Sequence, residues 1–170
     1  MKLVCQIVVG ALLLGSCSKE SDNVAVSTAL PPVSSSHNVV NKANMLALVN
    51  EVRAKGCNCG STYMPPVGPL TWNDNLEKAA LVHTVDMITK SFFEHTGSDG
   101  STPSQRVTNA GYFWMATGEN IAMGYTSEKD VMSTWLASEG HCLNIMRKEF
   151  KELGAARVGN YWTQEFGTPR

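Results

Sequence analysis

The chain has 170 residues, 14 Lys+Arg against 15 Asp+Glu, a formal net charge of −1, and 43% hydrophobic residues. That length suits one domain of ordinary size. The balanced charge argues against a nucleic-acid partner, which a basic excess would signal, and a hydrophobic fraction this high with so little net charge argues against a disordered chain. No run of ~20 apolar residues occurs, so no helix is expected to span a membrane in the mature protein.

The N-terminus reads as an address. Leu3 to Leu14 is apolar apart from Gln6, with Lys2 before it. The run is too short for a hydrocarbon core ~30 Å thick and has the size of a signal-peptide core. It ends Leu14-Gly15-Ser16-Cys17, which resembles the bacterial lipoprotein lipobox. The resemblance implies a signal peptide over 1–16, lost together with Cys5. It also implies a diacylglycerol on Cys17 and hence a stable lipid anchor in the membrane. Ser18 rather than Asp after Cys17 implies, by resemblance to Gram-negative sorting rules, the outer membrane, facing periplasm or surface. Residues 17–40 are rich in Ser, Pro and Asn without apolar period and read as a flexible tether.

A domain over 41–168 follows. Met45, Leu48, Val49 and Val52 fall at helical spacing, Asn41 or Asn44 can cap that helix, and Gly56 stops it. Cys57 to Pro69 reads as a loop. Asn73 or Asp74 can cap a second helix to about Ser91, with Leu76, Ala79, Ala80, His83, Met87 and Ile88 on one stripe. Gly97 to Gly100 is a turn, and Pro103 suits the first turn of a short helix to about Asn109. Glu119 to Ala122 reads as a strand or bend. Ser127 caps a helix to about Ser138, a short helix runs from His141 to Lys148, and a hairpin about Gly159-Asn160 joins Leu153–Val158 to Tyr161–Phe166. Helices followed by strands give an antiparallel α+β fold.

Four stretches occur in order: Phe92-Phe93-Glu94-His95-Thr96, Gly118-Glu119-Asn120-Ile121-Ala122, Gly140-His141-Cys142-Leu143-Asn144-Ile145-Met146 and Tyr161-Trp162-Thr163-Gln164. Together they resemble the CAP superfamily of SCP-like extracellular domains, in its bacterial branch, over about Asn41 to Gly167. The resemblance implies a three-layer α-β-α sandwich with a small antiparallel sheet and a cleft. It also implies a cleft cluster of His95, Glu119 and His141. The family's second glutamate, three residues after a helix tryptophan, falls on Ser138, so the tetrad is incomplete. Glu139, in place of the usual proline, is a further candidate carboxylate.

Two imidazoles and a carboxylate suit a divalent ion such as Zn²⁺, so His95 and His141, with Glu119, are the expected metal ligands. The same groups also suit a hydrogen-bonded cluster without metal. His83, with Asp86 three residues on, is expected to pack on its helix through a local hydrogen bond, outside that cluster. Cys57, Cys59 and Cys142 are an odd set in an oxidising compartment. Cys59 and Cys142 recur together in one bacterial subset of the family, which implies a Cys59–Cys142 disulfide worth on the order of 4 kcal/mol in the chain-entropy model; Cys57–Cys142 is the alternative. Three functions follow: a cleft that binds a metal, lipid or envelope component, a hydrolase using the His/Glu cluster to activate water, or a scaffold with a vestigial cleft. No nucleophile elbow accompanies Ser138, and no catalytic residue is assigned.

Overall fold

Asn41 opens the first helix, α1 (Lys42–Lys55), by accepting the Asn44 N–H through its side chain, and Gly56 closes it at φ 73°. This computed structural model describes residues 38–170; the expected signal peptide, Cys17 and the tether up to residue 37 lie outside the described residues. After α1 come β1 (Cys57–Cys59), β2 (Thr62–Met64), β3 (Thr71–Trp72), α2 (Asp74–Lys90) and α3 (Pro103–Asn109). Then follow β4 (Trp114–Met123), α4 (Glu128–Ala137), α5 (Glu139–Met146), β5 (Glu152–Val158) and β6 (Tyr161–Pro169). Asn73 caps α2 through two backbone N–H groups, and Ser91, in the left-handed region at φ 56°, ends it. Thr102 and Gln105 form a reciprocal capping box around Pro103 on α3.

The main sheet has the order β3-β5-β6-β4. β4, β6 and β5 pair antiparallel, as expected, but β3 lies parallel to β5, so the sheet is mixed. The intervening helices supply the long crossover that a parallel pair needs. Two residues are too few for a periodic signal, and β3 is invisible in the sequence for that reason. Where β3 stops, the chain entry takes over the same edge: Asn38 accepts from Arg157 N and donates to Ala155 O, and Val39 N donates to Arg157 O. The stretch read as loop after α1 holds a hairpin instead, β1 against β2.

Strand alternation splits β6 between two layers. Trp162 and Phe166 face one core, shared with Met45 and Val49 of α1, Val131 and Trp135 of α4, and Ile145 and Met146 of α5. Thr163 faces the other side, where its hydroxyl accepts from Thr84 of α2. Leu76 and Ala79 of α2 pack there with Val107 of α3 and Tyr112. Helices therefore cover both faces, an α+β sandwich in three layers. Gly154 in β5 lets α2 lie close on the sheet: a Cβ there would run into the backbone at Leu76 and Glu77. Arg53 ties α1 to the end of α5. Fully buried, it donates to the carbonyls of Gly68, Ile145, Arg147 and Phe150, and burial without a carboxylate partner lowers its pKa to about 10.

Candidate functional site

Glu119 sits in the middle of β4 and points toward the α2–α3 side, almost completely buried. His95, in the segment after α2, bonds Glu119 Oε1 through Nδ1 at 2.7 Å. Arg106 of α3 donates to Glu119 Oε2 at 2.6 Å, to the His95 carbonyl at 2.9 Å and to the Ser101 carbonyl at 2.9 Å. One buried guanidinium thus fastens the carboxylate and the turn that presents His95. Two of the expected residues, His95 and Glu119, meet as the motifs imply. Arg106 is not among the sequence candidates, because a lone arginine on a short helix carries no sequence signal.

A second acid lies on the same chamber. Glu165 of β6 stands directly opposite Glu119 in the β4–β6 register and is fully buried. Among the described residues, no donor gives a hydrogen bond to either of its oxygens. The Glu119 carboxylate across the strand pair is the nearest charge of the same sign, and two like charges so close in a buried chamber disfavour ionising both. Burial first, then the Glu119 charge and the shared hydrogen bond, push the Glu165 pKa well above the usual carboxylate range, with Arg106 opposing. Burial also pushes Glu119 upward, but the bond from His95 and the Arg106 guanidinium lead the opposing effects, and Glu119 ends below its usual value. The two directions are opposite: the chamber favours the charged form of Glu119 and the protonated form of Glu165.

His83 does not follow expectation. Its Nε2 lies 3.9 Å from Glu119 Oε1 and donates to the Glu94 carbonyl at 2.9 Å. That bond fixes the tautomer and leaves Nδ1 as a buried lone pair without a partner among the described residues. Asp86 is occupied elsewhere, by the N–H and hydroxyl of Ser98. Burial lowers the His83 pKa despite Glu119, so the ring is neutral at neutral pH. His83 is thus part of the cluster because α2 lies so close on the sheet.

His141 enters from α5, on the other layer. Its carbonyl accepts from Asn120 Nδ2, which also donates to Gln164 Oε1. Asn144, one turn along α5, donates to Asn120 Oδ1 and to the Glu119 carbonyl. The asparagines of the two motifs therefore lock α5 against β4. Gly118 permits the fit, because a Cβ there would press on the Phe150 ring and Asn144. The His141 ring lines a groove of about 250 Å³ along the free edge of β4, with Phe93, Ile121, Ala122, Met123, Tyr125, Thr134 and Trp135. Burial, and then the His95 charge, lower the His141 pKa, so this ring too is neutral at neutral pH.

The metal ligand set read from the sequence is not assembled here. Among the described residues, Cys57, Cys59 and Cys142 are the one set of three such side chains whose ligand atoms all lie within 4.8 Å of one another. Two of those sulfurs are spent, since Cys59 and Cys142 form a disulfide. His95, Glu119 and His141 do not close to that distance, and both Glu119 oxygens already take hydrogen bonds. A guanidinium on the carboxylate opposes a second cation at Glu119. Glu139 is not the missing acid either: it lies over Gly60 in the β1–β2 turn, and the second carboxyl in the chamber is Glu165.

The family model described as CAP, the cysteine-rich secretory protein family, matches residues 46–166. An uncharacterized Bacillus subtilis protein, YkwD, is 34% identical over 100 residues, covering 58% of this chain and 39% of its own length. The chain spans 39% and 28% of the lengths of the two curated relatives it matches. An SCP-domain extracellular protein from Bacillus anthracis has a TM-score of 0.67 at 25% identity, covering 74% of this chain and 39% of its own. An outer surface protein from Borrelia burgdorferi has a TM-score of 0.66 at 22% identity, covering 79% of this chain and 98% of its own, and that likeness speaks for the fold alone.

Proposed function

This chain belongs to the cysteine-rich secretory protein (CAP) family, and on that premise we propose that it is a lipid-anchored binding module whose groove takes an apolar small ligand. The observation that carries the reading is the groove along β4, walled by Phe93, Ile121, Ala122, Met123, Tyr125 and Trp135, with Thr134 and a neutral His141 as its polar members. An apolar wall with few polar groups is the usual form of a small-molecule site. Phe93 and Met123 remain exposed there, so a ligand would cover apolar surface now facing water.

The charged cluster next door supports binding over hydrolysis. A general base needs an oxygen ready to take a proton from water. Glu119 is held by His95 and Arg106, and its neighbour Glu165 already carries a proton. In this reading the cluster shapes and stiffens the wall that presents the groove. Cys17 is the lipid attachment point, and the printed name of the Bacillus anthracis relative, an extracellular protein, supports an envelope or extracellular location. Titration of the full chain with a fluorescent fatty acid, with and without a plug in the groove, tests the proposal.

A further inference from the structure

The Cys59–Cys142 bridge joins the β1–β2 hairpin to the first turns of α5. Cys57 is two residues before Cys59 on β1, and side chains two apart on a strand point the same way. Both sulfurs of the Cys-x-Cys pair therefore face α5. Cys57 Sγ lies 3.6 Å from Cys142 Sγ and 4.0 Å from Cys59 Sγ. The two bridged cysteines are fully buried, whereas Cys57 is half-buried and is the free thiol among the described residues. The bridge sulfurs are thus shielded from an external thiol, and Cys57 is the partly exposed sulfur beside them.

We infer that Cys57, Cys59 and Cys142 form a thiol–disulfide exchange site, in which the bridge to α5 migrates between Cys59 and Cys57. At rest Cys57 Sγ lies beside the Cys59–Cys142 bond, nearly equidistant from its two sulfurs; the Cys57 thiol gives its proton to solvent, its side chain turns into line with that bond, and the thiolate attacks Cys142 Sγ. The Cys57–Cys142 bond forms as the Cys142–Cys59 bond breaks, and the electron pair leaves on Cys59 Sγ, which takes up a proton. Nothing is oxidised or reduced overall, so no external oxidant or reductant is required.

Two consequences follow from the geometry. Exchange moves the free thiol from the half-buried position 57 to the fully buried position 59, which hides the reactive sulfur. It also moves the anchor of α5 from residue 59 to residue 57 on β1, between sulfurs 4.0 Å apart. Cys142 follows His141, a groove residue, directly in sequence. Exchange runs through the thiolate. Burial raises the Cys57 pKa, which makes migration slow at neutral pH and faster as pH rises.

The test uses the oxidised full chain with Cys5→Ser and Cys17→Ser, so that no other thiol takes part. Samples held at pH 7 and pH 9 without reductant are unfolded in mild acid, where exchange is frozen, alkylated with a maleimide and mapped without reduction. The expected result is label on Cys57 at first, then label shared with Cys59 and a growing Cys57–Cys142 peptide. The rate should rise about tenfold per pH unit below the thiol pKa. Label confined to Cys57 after prolonged incubation at pH 9 would overturn the inference. As an independent check, Cys59→Ser should form Cys57–Cys142 and carry no free thiol. A folded Cys59→Ser protein with two free thiols would equally overturn it, and the Cys59-containing chain decides the matter if that variant does not fold.

Discussion

Glu165 stands directly across the β4–β6 pair from Glu119, so two carboxyl groups share one buried chamber with a single guanidinium, that of Arg106. Glu119 keeps the charge and Glu165 keeps the proton. The arrangement makes the chamber sensitive to pH with opposite signs at its two acids.

The first prediction concerns those signs. Glu165 has a folded pKa raised above its unfolded value. Its contribution to stability is present below the unfolded pKa and is lost as pH rises toward the folded one, at ~1.4 kcal/mol per pH unit. Glu119 has a lowered folded pKa, so its contribution is present above the unfolded value and is lost as pH falls through the folded one. Glu165→Gln keeps a donor toward Glu119 and has no proton to lose. Its stability relative to the parent, measured by urea unfolding across pH, should therefore climb from about pH 4.5 upward. A pH-independent difference would show that Glu165 is ionised in the folded protein.

The second concerns the clamp. Arg106→Met leaves the buried Glu119 charge with only the His95 bond and no guanidinium, and should cost about 3–5 kcal/mol. Adding Glu119→Gln should recover much of that loss, because the uncompensated charge is gone. A double variant as unstable as the sum of the two single ones would show that Arg106 acts through packing instead.

Much of this is legible in the residues, and the rest is not for identifiable reasons. Asn41 and Gly56 bound α1, Asn73 and Ser91 bound α2, and Pro103 opens α3, all through local capping that the sequence displays. The meeting of His95 with Glu119 comes from motif order. Glu165 hides inside a run that reads only as β-prone; its alternation with Gln164 and Phe166 marks a charge on the α2 face, but pairing it with Glu119 needs the nonlocal β4–β6 register. His83 reads as tied to its own helix because the close approach of α2, permitted by Gly154, is a tertiary fact. The Cys-x-Cys pair reads as loop because three-residue strands carry too little periodicity to register.

The third prediction is an absence of zinc chemistry in the charged cluster. Calorimetry at neutral pH should find no saturable Zn²⁺ uptake that depends on Glu119, since its oxygens are committed to His95 and Arg106. Stoichiometric uptake abolished by either His95→Ala or Glu119→Gln would mean that the cluster rearranges around an ion.

The fourth concerns the anchor. Cys17→Ala should move the protein from the membrane fraction to the soluble fraction, and mass spectrometry of the parent should find Cys17 at the mature N-terminus bearing acyl chains. An unmodified N-terminus at another residue would refute the lipobox reading.

The central claim is the apolar groove, and fluorescence titration of the full chain with an anthroyloxy-labelled fatty acid, in EDTA, tests it most directly. The expected result is saturable binding that weakens at acid pH, as His141 gains a charge among the apolar walls. Binding should also be at least about tenfold weaker in Thr134→Arg at unchanged thermal stability, because that half-buried groove residue can carry a plug without disturbing the core. No saturable binding by the parent, or equal binding by Thr134→Arg, would contradict it.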